Sequence, residues 1–334
     1  MTKGRLSADQ YIQGILHGDR MILSRAITLV ESALHSDQLI AEKVMEGILP
    51  YSGKSIRIGI TGVPGVGKST FIESFGKILV ENGHIVAVLA VDPTSQQSRG
   101  SILGDKTRME NLASDKRAYI RPSPAGSTLG GVSARTREGM LLCEAAGFDV
   151  VLIETVGVGQ SETAVKGMVD FFLLLMLAGA GDELQGIKKG IIEMCDALVI
   201  NKADGTNLEA AKNAQREYAN ALHLFSAKEN GWIPQVKTCS ATEKTGLEEI
   251  WKMVLEFNHK MVSNGYWERN RAGQRVNWLH EHIRYLLEKR FFQNEIIKGQ
   301  LGQMLPEVLS GKLSAVAKAR ELVDLFADQS QGEK

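Results

Sequence analysis

Apolar residues near the start of the chain recur at helical spacing. Ile22, Ala26, Leu29 and Val30 share one helix face, and Leu39, Val44, Ile48 and Leu49 mark a second helix, before Pro50-Tyr51-Ser52-Gly53 supplies a turn that stops it. From there the period changes. Short runs rich in β-branched and aliphatic residues, at 56–61, 85–91, 150–153, 171–177, 197–200 and 236–238, alternate with helical patterns. Continuous apolar strands separated by amphipathic helices predict βα units, and hence an α/β fold with a mostly parallel sheet covered by helices on both faces. Beyond Trp251 the strand patterns end. Val276, Leu279, Ile283, Leu287 and Phe291 form the apolar stripe of a long helix, and Leu313, Val316, Leu322 and Leu325 form another. The pattern divides the chain into an N-terminal helical segment (1–54), an α/β core (55–260) and a C-terminal helical part (261–334).

Composition narrows the class. A chain of 334 residues can bury a large core without disulfide or metal staples. Thirty-nine Lys plus Arg balance 39 Asp plus Glu, which argues against a protein whose main work is gripping nucleic acid or an anionic membrane. Cys143, Cys195 and Cys239 stand alone, in no Cys-x-x-Cys or Cys/His cluster, so spacing gives neither a disulfide framework nor a zinc site and a reducing compartment fits. The opening MTKGRLSADQYIQG lacks the apolar run of a secretory signal. The longest apolar run, FFLLLMLA at 171–178, is far short of the roughly 18 residues a bilayer span needs, and reads as a buried strand of a cytoplasmic protein.

One motif carries the chemistry. Gly62-Val63-Pro64-Gly65-Val66-Gly67-Lys68-Ser69, followed by Thr70, is a full G-x-x-x-x-G-K-S between a predicted strand and an apolar helix. Glycines let the backbone curl until successive N–H groups face phosphates. The following helix adds its positive end, Lys68 reaches the β- and γ-phosphates, and Ser69 can ligate Mg²⁺. Asn201-Lys202-Ala203-Asp204 follows the strand at 197–200 and reads as a guanine-selecting loop. Asp204 can accept from guanine N1–H and the exocyclic amine, whereas adenine would leave this acceptor unpaired at about 1–3 kcal/mol. Asn201 and Lys202 would brace the loop and cover the base. Ser240, Ala241 and Thr242, past the next strand, form the expected partner loop, whose backbone N–H groups could hold guanine O6.

Two acids close predicted strands between these loops, Asp92 and Glu154. Parallel strands aim their C-terminal ends at the ligand crevice, where an acid holds Mg²⁺ directly or through water, and Gly157 could let its N–H approach the γ-phosphate. Small GTPases place Asp-x-x-Gly at this point, so the longer Glu154 is a departure. The glycine-punctuated, charged stretch 179–190 reads either as a moving switch or as a plain solvated connection.

Read in order, GVPGVGKST, AVDPTS, SILGDKTRM, LGGVSARTRE, IETVGVGQSE, GDELQGIKKG and NKADG closely resemble the methylmalonyl-CoA mutase-associated GTPases of the MeaB/ArgK type, over about 51–205. The resemblance implies a P-loop GTPase that turns GTP into GDP and phosphate. It further implies a G-protein chaperone that binds an adenosylcobalamin-dependent acyl-CoA mutase, gates its cofactor loading and protects it from inactivation. It places magnesium-side residues at Ser69, Asp92 and Glu154, with Asp105 as a further candidate. The 181–190 loop resembles an extra switch, in which Lys188 is the candidate for coupling hydrolysis to the mutase. A homodimer joined through the C-terminal helices is implied as well, and the 276–291 stripe either supplies that face or packs on its own domain. Two other readings are a P-loop kinase, for which no second-substrate site is identifiable, and a nickel- or zinc-inserting GTPase. Scattered histidines and solitary cysteines argue against the latter.

Overall fold

The computed structural model describes residues 5–91, 109–121, 129–155, 161–179, 189–223 and 228–332. The chain forms two compact units, Met1–Gln274 and Arg275–Lys334.

In the first unit, helices α1 (Ala8–Leu16), α2 (Arg20–Glu31) and α3 (His35–Ile48) precede the sheet. Three helices stand where the apolar period marks two. The extra one is α1, announced by a capping box in which the Ser7 and Gln10 side chains reciprocally satisfy the end of the backbone ladder. Seven parallel strands follow among the described residues: β1 (Ile56–Gly62), β2 (Val86–Val91), β3 (Ala118–Arg121), β4 (Val150–Thr155), β5 (Phe171–Leu177), β6 (Ala197–Asn201) and β7 (Gln235–Thr238). Their order in the sheet is β3-β2-β4-β1-β5-β6-β7. Six of these correspond to predicted runs. β3 does not, because it is a four-residue edge strand flanked by Lys116-Arg117 and ending in Arg121, too short to carry a period.

The chain between strands supplies α4 (Lys68–Glu81), α5 (Glu110–Ala113), α6 (Leu129–Ala145), α7 (Ser161–Lys166), α8 (Lys189–Met194) and α9 (Leu208–His223). α10 (Leu247–Ser263) covers the sheet after β7 and starts at Gly246, whose φ of 77° only glycine adopts readily. Phe71 and Phe75 of α4 stack with centroids 5.3 Å apart, and Phe75 meets Trp251 of α10 edge-on at 6.3 Å. The central strands β1, β4 and β5 are buried almost throughout, as their unbroken apolar runs require. Because all seven strands run the same way, the chain leaves β1, β4 and β6 on one edge of the sheet. That edge carries the residues described below.

The long helix α11 (Tyr266–Gln293) begins in the first unit. The second unit contains its remainder with α12 (Glu295–Leu309) and α13 (Ala315–Gly332). Asn294 caps α12 by accepting from the N–H groups of Ile296 and Ile297, and Phe291 packs edge-on against Phe326 at 5.4 Å. In this unit Val276, Leu279, Ile283 and Leu287 are exposed.

Candidate functional site

The G-x-x-x-x-G-K-S segment leaves the central strand β1 and enters α4 in the expected way. Gly65 and Gly67 take φ of 75° and 87°, and Gly67 caps α4 without any side-chain bond, so the first N–H groups of the helix stay directed at the loop. Val63 and Val66 are buried and wedge the loop from beneath, while Pro64 and Gly65 are exposed at its rim. The N-terminal Gly62 is fixed by packing: a Cβ there would lie 2.5 Å from the Leu175 carbonyl oxygen of β5. Lys68 folds back over the loop, its Nζ donating to the carbonyls of Gly62 at 2.9 Å and Val63 at 3.3 Å. Burial draws its ammonium below the usual lysine range, and the carboxylates of Glu154 and Glu162 pull it part of the way back. Thr70 is exposed on the first turn of α4.

Beside the loop, Ser69 Oγ donates to Glu154 Oε1 at 3.3 Å, although 85 residues separate them. β4 neighbours β1, with Ile60 in register with Glu154, which carries the carboxylate to the loop's flank. One residue on, Thr155 Oγ1 donates to Thr61 Oγ1 at 2.8 Å and ties the two strand ends together. A hydroxyl and a carboxylate meeting here form the hard-oxygen donor set that suits Mg²⁺, an ion that takes few protein ligands and keeps water and phosphate oxygens for the rest. Asp92, Asp105, Gly157 and Lys188, and most of the 179–190 loop, lie outside the described residues.

The second half of the site forms where β6 and β7 end. Asn201 is 1% exposed and joins three segments: its Nδ2 donates to Val66 O at 2.8 Å, and its Oδ1 accepts from Ala241 N at 3.2 Å and from Cys239 Sγ at 3.4 Å. Burial pushes the Cys239 thiol up to about 12, so it remains the donor in that contact. Lys202 takes φ of 59°, which is costly for a residue with a side chain, and is held there from two sides. Its Nζ donates to Gly65 O at 2.9 Å, and Asn207 Nδ2 donates to its carbonyl at 2.6 Å. Both Asn201 and Lys202 therefore grip the G-x-x-x-x-G-K-S segment.

Asp204 accepts a hydrogen bond from Ser240 Oγ, which in turn accepts from Glu243 N at 3.0 Å. Sequence gives Ser240 only as a backbone donor, yet its N–H goes to Thr245 O at 3.1 Å and its hydroxyl is what meets Asp204. The Ala241 N–H is shared with Asn201. Thr242 is exposed at the loop's outer side. Two further residues escape a motif search. Ser74 of α4 reaches the 241 carbonyl, and Glu162, 4% exposed on the first turn of α7, acts on Lys68 through its charge. Ser74 belongs to no recognisable string, and Glu162 closes IETVGVGQSE, where nothing singles it out. Only helical phase, which turns both inward, could have hinted at them.

Comparison with known proteins meets this geometry from the other side. The family model described as "Methylmalonyl Co-A mutase-associated GTPase MeaB" matches residues 23–296. The chain is 46% identical to the Escherichia coli protein named GTPase ArgK, over 95% of this chain and 96% of that one. It is 45% identical to the mouse (Mus musculus) protein named methylmalonic aciduria type A homolog, mitochondrial, over 95% of this chain and 79% of that one. Among solved structures, one titled LAO/AO transport system kinase superposes with a TM-score of 0.76 at 40% identity, covering 98% of this chain and all of that one. A chain with this strand order, this phosphate-loop geometry and this breadth of likeness belongs to the MeaB family of methylmalonyl-CoA mutase-associated GTPases, and is a P-loop GTPase that binds guanine nucleotide.

Proposed function

We propose that this GTPase serves as the nucleotide-driven chaperone of an adenosylcobalamin-dependent acyl-CoA mutase, spending GTP hydrolysis on gating cofactor loading and protecting the mutase. The observation that carries the site assignment is Asn201, which bonds the phosphate-side loop at Val66 and the base-side loop at Ala241. One ligand long enough to touch both loops fits that arrangement, and a nucleoside triphosphate has phosphates for one end and a base for the other. The family's description as mutase-associated supports the partner.

In this reading the backbone N–H groups of 62–70, Pro64 excepted, and the Lys68 ammonium gather the phosphates. Ser69 and Glu154 would hold Mg²⁺ with Asp92 and Asp105. The ion, when bound, neutralises charge on the β- and γ-oxygens. Lys68 releases the carbonyls of Gly62 and Val63 and transfers its hydrogen bonds to phosphate oxygens. Asp204, aimed by Ser240, accepts from guanine N1–H and the 2-amine. Asp204→Asn is expected to lower GTP affinity about 10–100-fold and to raise affinity for xanthosine triphosphate, whose 2-oxo group welcomes an amide donor. Competitive binding of the two nucleotides checks this, and an unchanged ratio would mean that Asp204 does not read the base.

The exposed stripe of Val276, Leu279, Ile283 and Leu287 supports a homodimer through the second unit. Lys188 is retained as the candidate residue coupling hydrolysis to the mutase. The deciding experiment purifies the chain from its own cell extract with GTP or GDP present, then measures turnover with and without the co-eluting protein. The expected outcome is a cobalamin-dependent acyl-CoA mutase in the eluate and faster release of free phosphate when it is added. Labelled γ-phosphate recovered on an acceptor instead would favour a kinase.

A further inference from the structure

Among the described residues, two side chains tie the 240–242 loop to the phosphate-side elements, and only Asn201 belongs to a motif. The other is Ser74. It lies mid-helix in α4 at 7% exposure, where a serine hydroxyl commonly turns back to the carbonyl one helical turn earlier. Instead its Oγ donates to the carbonyl of Ala241 at 2.6 Å, across 167 residues of sequence. Ala241 is thereby clamped at both ends, its N–H by Asn201 Oδ1 at 3.2 Å and its carbonyl by Ser74. The other end of the peptide carrying the Ala241 N–H is fixed as well, since Ser240 O accepts from Thr245 N at 3.2 Å. A peptide unit is planar and trans, so fixing the direction of the Ala241 carbonyl fixes the opposite direction of the Thr242 N–H. Every amide that the 240–242 loop could turn toward a base is therefore oriented from outside the loop.

We infer that Ser74 is a positioning residue for base selection: through Ala241 it sets the 240–242 loop against the same helix whose first turn faces the phosphates. The inference rests on the assignment of 201–204 and 240–242 as the guanine-selecting loops. It makes α4 the common reference for both ends of the nucleotide, with Lys68 at its start and Ser74 six residues later. Loss of the Ser74 hydroxyl would let the base loop drift while leaving the phosphate contacts in place. Discrimination should then suffer more than chemistry.

Ser74→Ala separates the two. Alanine removes the donor, keeps the size and favours helix more than serine does, so α4 itself is not weakened. The experiment measures equilibrium binding of GTP and of ATP to the full chain with magnesium, steady-state turnover, and thermal melting without nucleotide. The expected result is a loss of GTP affinity of about tenfold, with ATP affinity and kcat at saturating GTP each within about twofold of the parent, the size expected for one lost hydrogen bond. If the parent chain itself shows no preference for GTP over ATP, the assignment of the guanine loops falls and this inference with it. If the parent prefers GTP and Ser74→Ala keeps the full preference, the inference alone is overturned. Equal losses for both nucleotides, tracking a lowered melting temperature, would mark Ser74 as merely structural and overturn it as well.

Discussion

Lys68→Ala is expected to lower GTP turnover by about 10²–10³-fold, the cost typical of removing one preorganised charge from a phosphoryl-transfer site. The reason lies in where Lys68 stands before any phosphate arrives. Its ammonium is half-buried, is drawn down in pKa by that burial, and among the described residues is satisfied by two backbone carbonyls and the fields of Glu154 and Glu162. Such a group loses little by exchanging neutral carbonyls for phosphate oxygens and gains a charge-assisted bond in return. Arginine is not an equivalent, because its planar fork cannot follow a four-carbon stem between Gly62 and Val63. Release of labelled phosphate under single-turnover conditions gives the number directly. Turnover within threefold of the parent would remove Lys68 from the chemistry. Because the hydrogen bonds of Lys68 among the described residues go to its own loop, the thermal midpoint should move little, so a large activity loss with an unchanged midpoint cannot be ascribed to unfolding.

How much of this could be read in the sequence follows from the range of each interaction. The phosphate loop was legible because strand, glycine turn and helix are contiguous, and because the left-handed backbone at Gly65 and Gly67 demands the residue that is written there. The parallel sheet was legible from its unbroken apolar strands. The loop at 201–204 could be given a purpose, but its actual hold on Val66 and Gly65 could not, since nothing local marks a contact spanning 135 or 137 residues. Ser74 and Ser240 are small, common residues whose meaning is set wholly by a distant partner. β3 escaped because four residues hold no period, and α1 because its signal is a cap and not a stripe. Two buried charges, Arg57 and Arg271, escaped for the same reason as Ser74. Nothing local marks either arginine, because the partners that bury them, Glu144 and Asp170, lie 87 and 101 residues away.

These charges make the second large effect. At the end of the sheet opposite the nucleotide edge, Arg271 of α11 donates from Nε and Nη2 to Asp170 at 2.8 and 2.6 Å, and from its two Nη atoms to the carbonyls of Gly53 and Ser55, each at 2.6 Å. Its guanidinium carbon lies 3.8 Å from the ring centroid of Trp267. Asp170 also accepts from Arg57 N at 2.9 Å, while the Arg57 side chain forms a two-pronged pair with Glu144, both bonds 2.8 Å. Arg271 is 3% exposed and Asp170 6%, so solvent cannot replace a missing partner. Arg271→Ala is therefore expected to cost about 3–5 kcal/mol, the range for stranding one charge of a buried pair, and to lower the melting temperature by about 10 °C. Glu295→Gln, which breaks an exposed i,i+3 pair with Lys298, should cost under about 1 kcal/mol and serves as the internal comparison. The network also leaves a pH signature. Burial alone would raise the Glu144 carboxyl, but the bonds and charges of Arg57, with Ser55 and Arg271, outweigh it and hold the group below the usual carboxylate range. A depressed folded-state pKa means that the unfolded chain binds the proton more readily. The stabilisation is thus complete above the unfolded value near 4.3 and is lost as pH falls through the lower folded value. Denaturant melts at descending pH should show this loss in the parent and a flatter acid limb in Glu144→Gln. A parent and variant that lose stability in parallel would mean that Arg57 and Glu144 are not coupled in the folded chain.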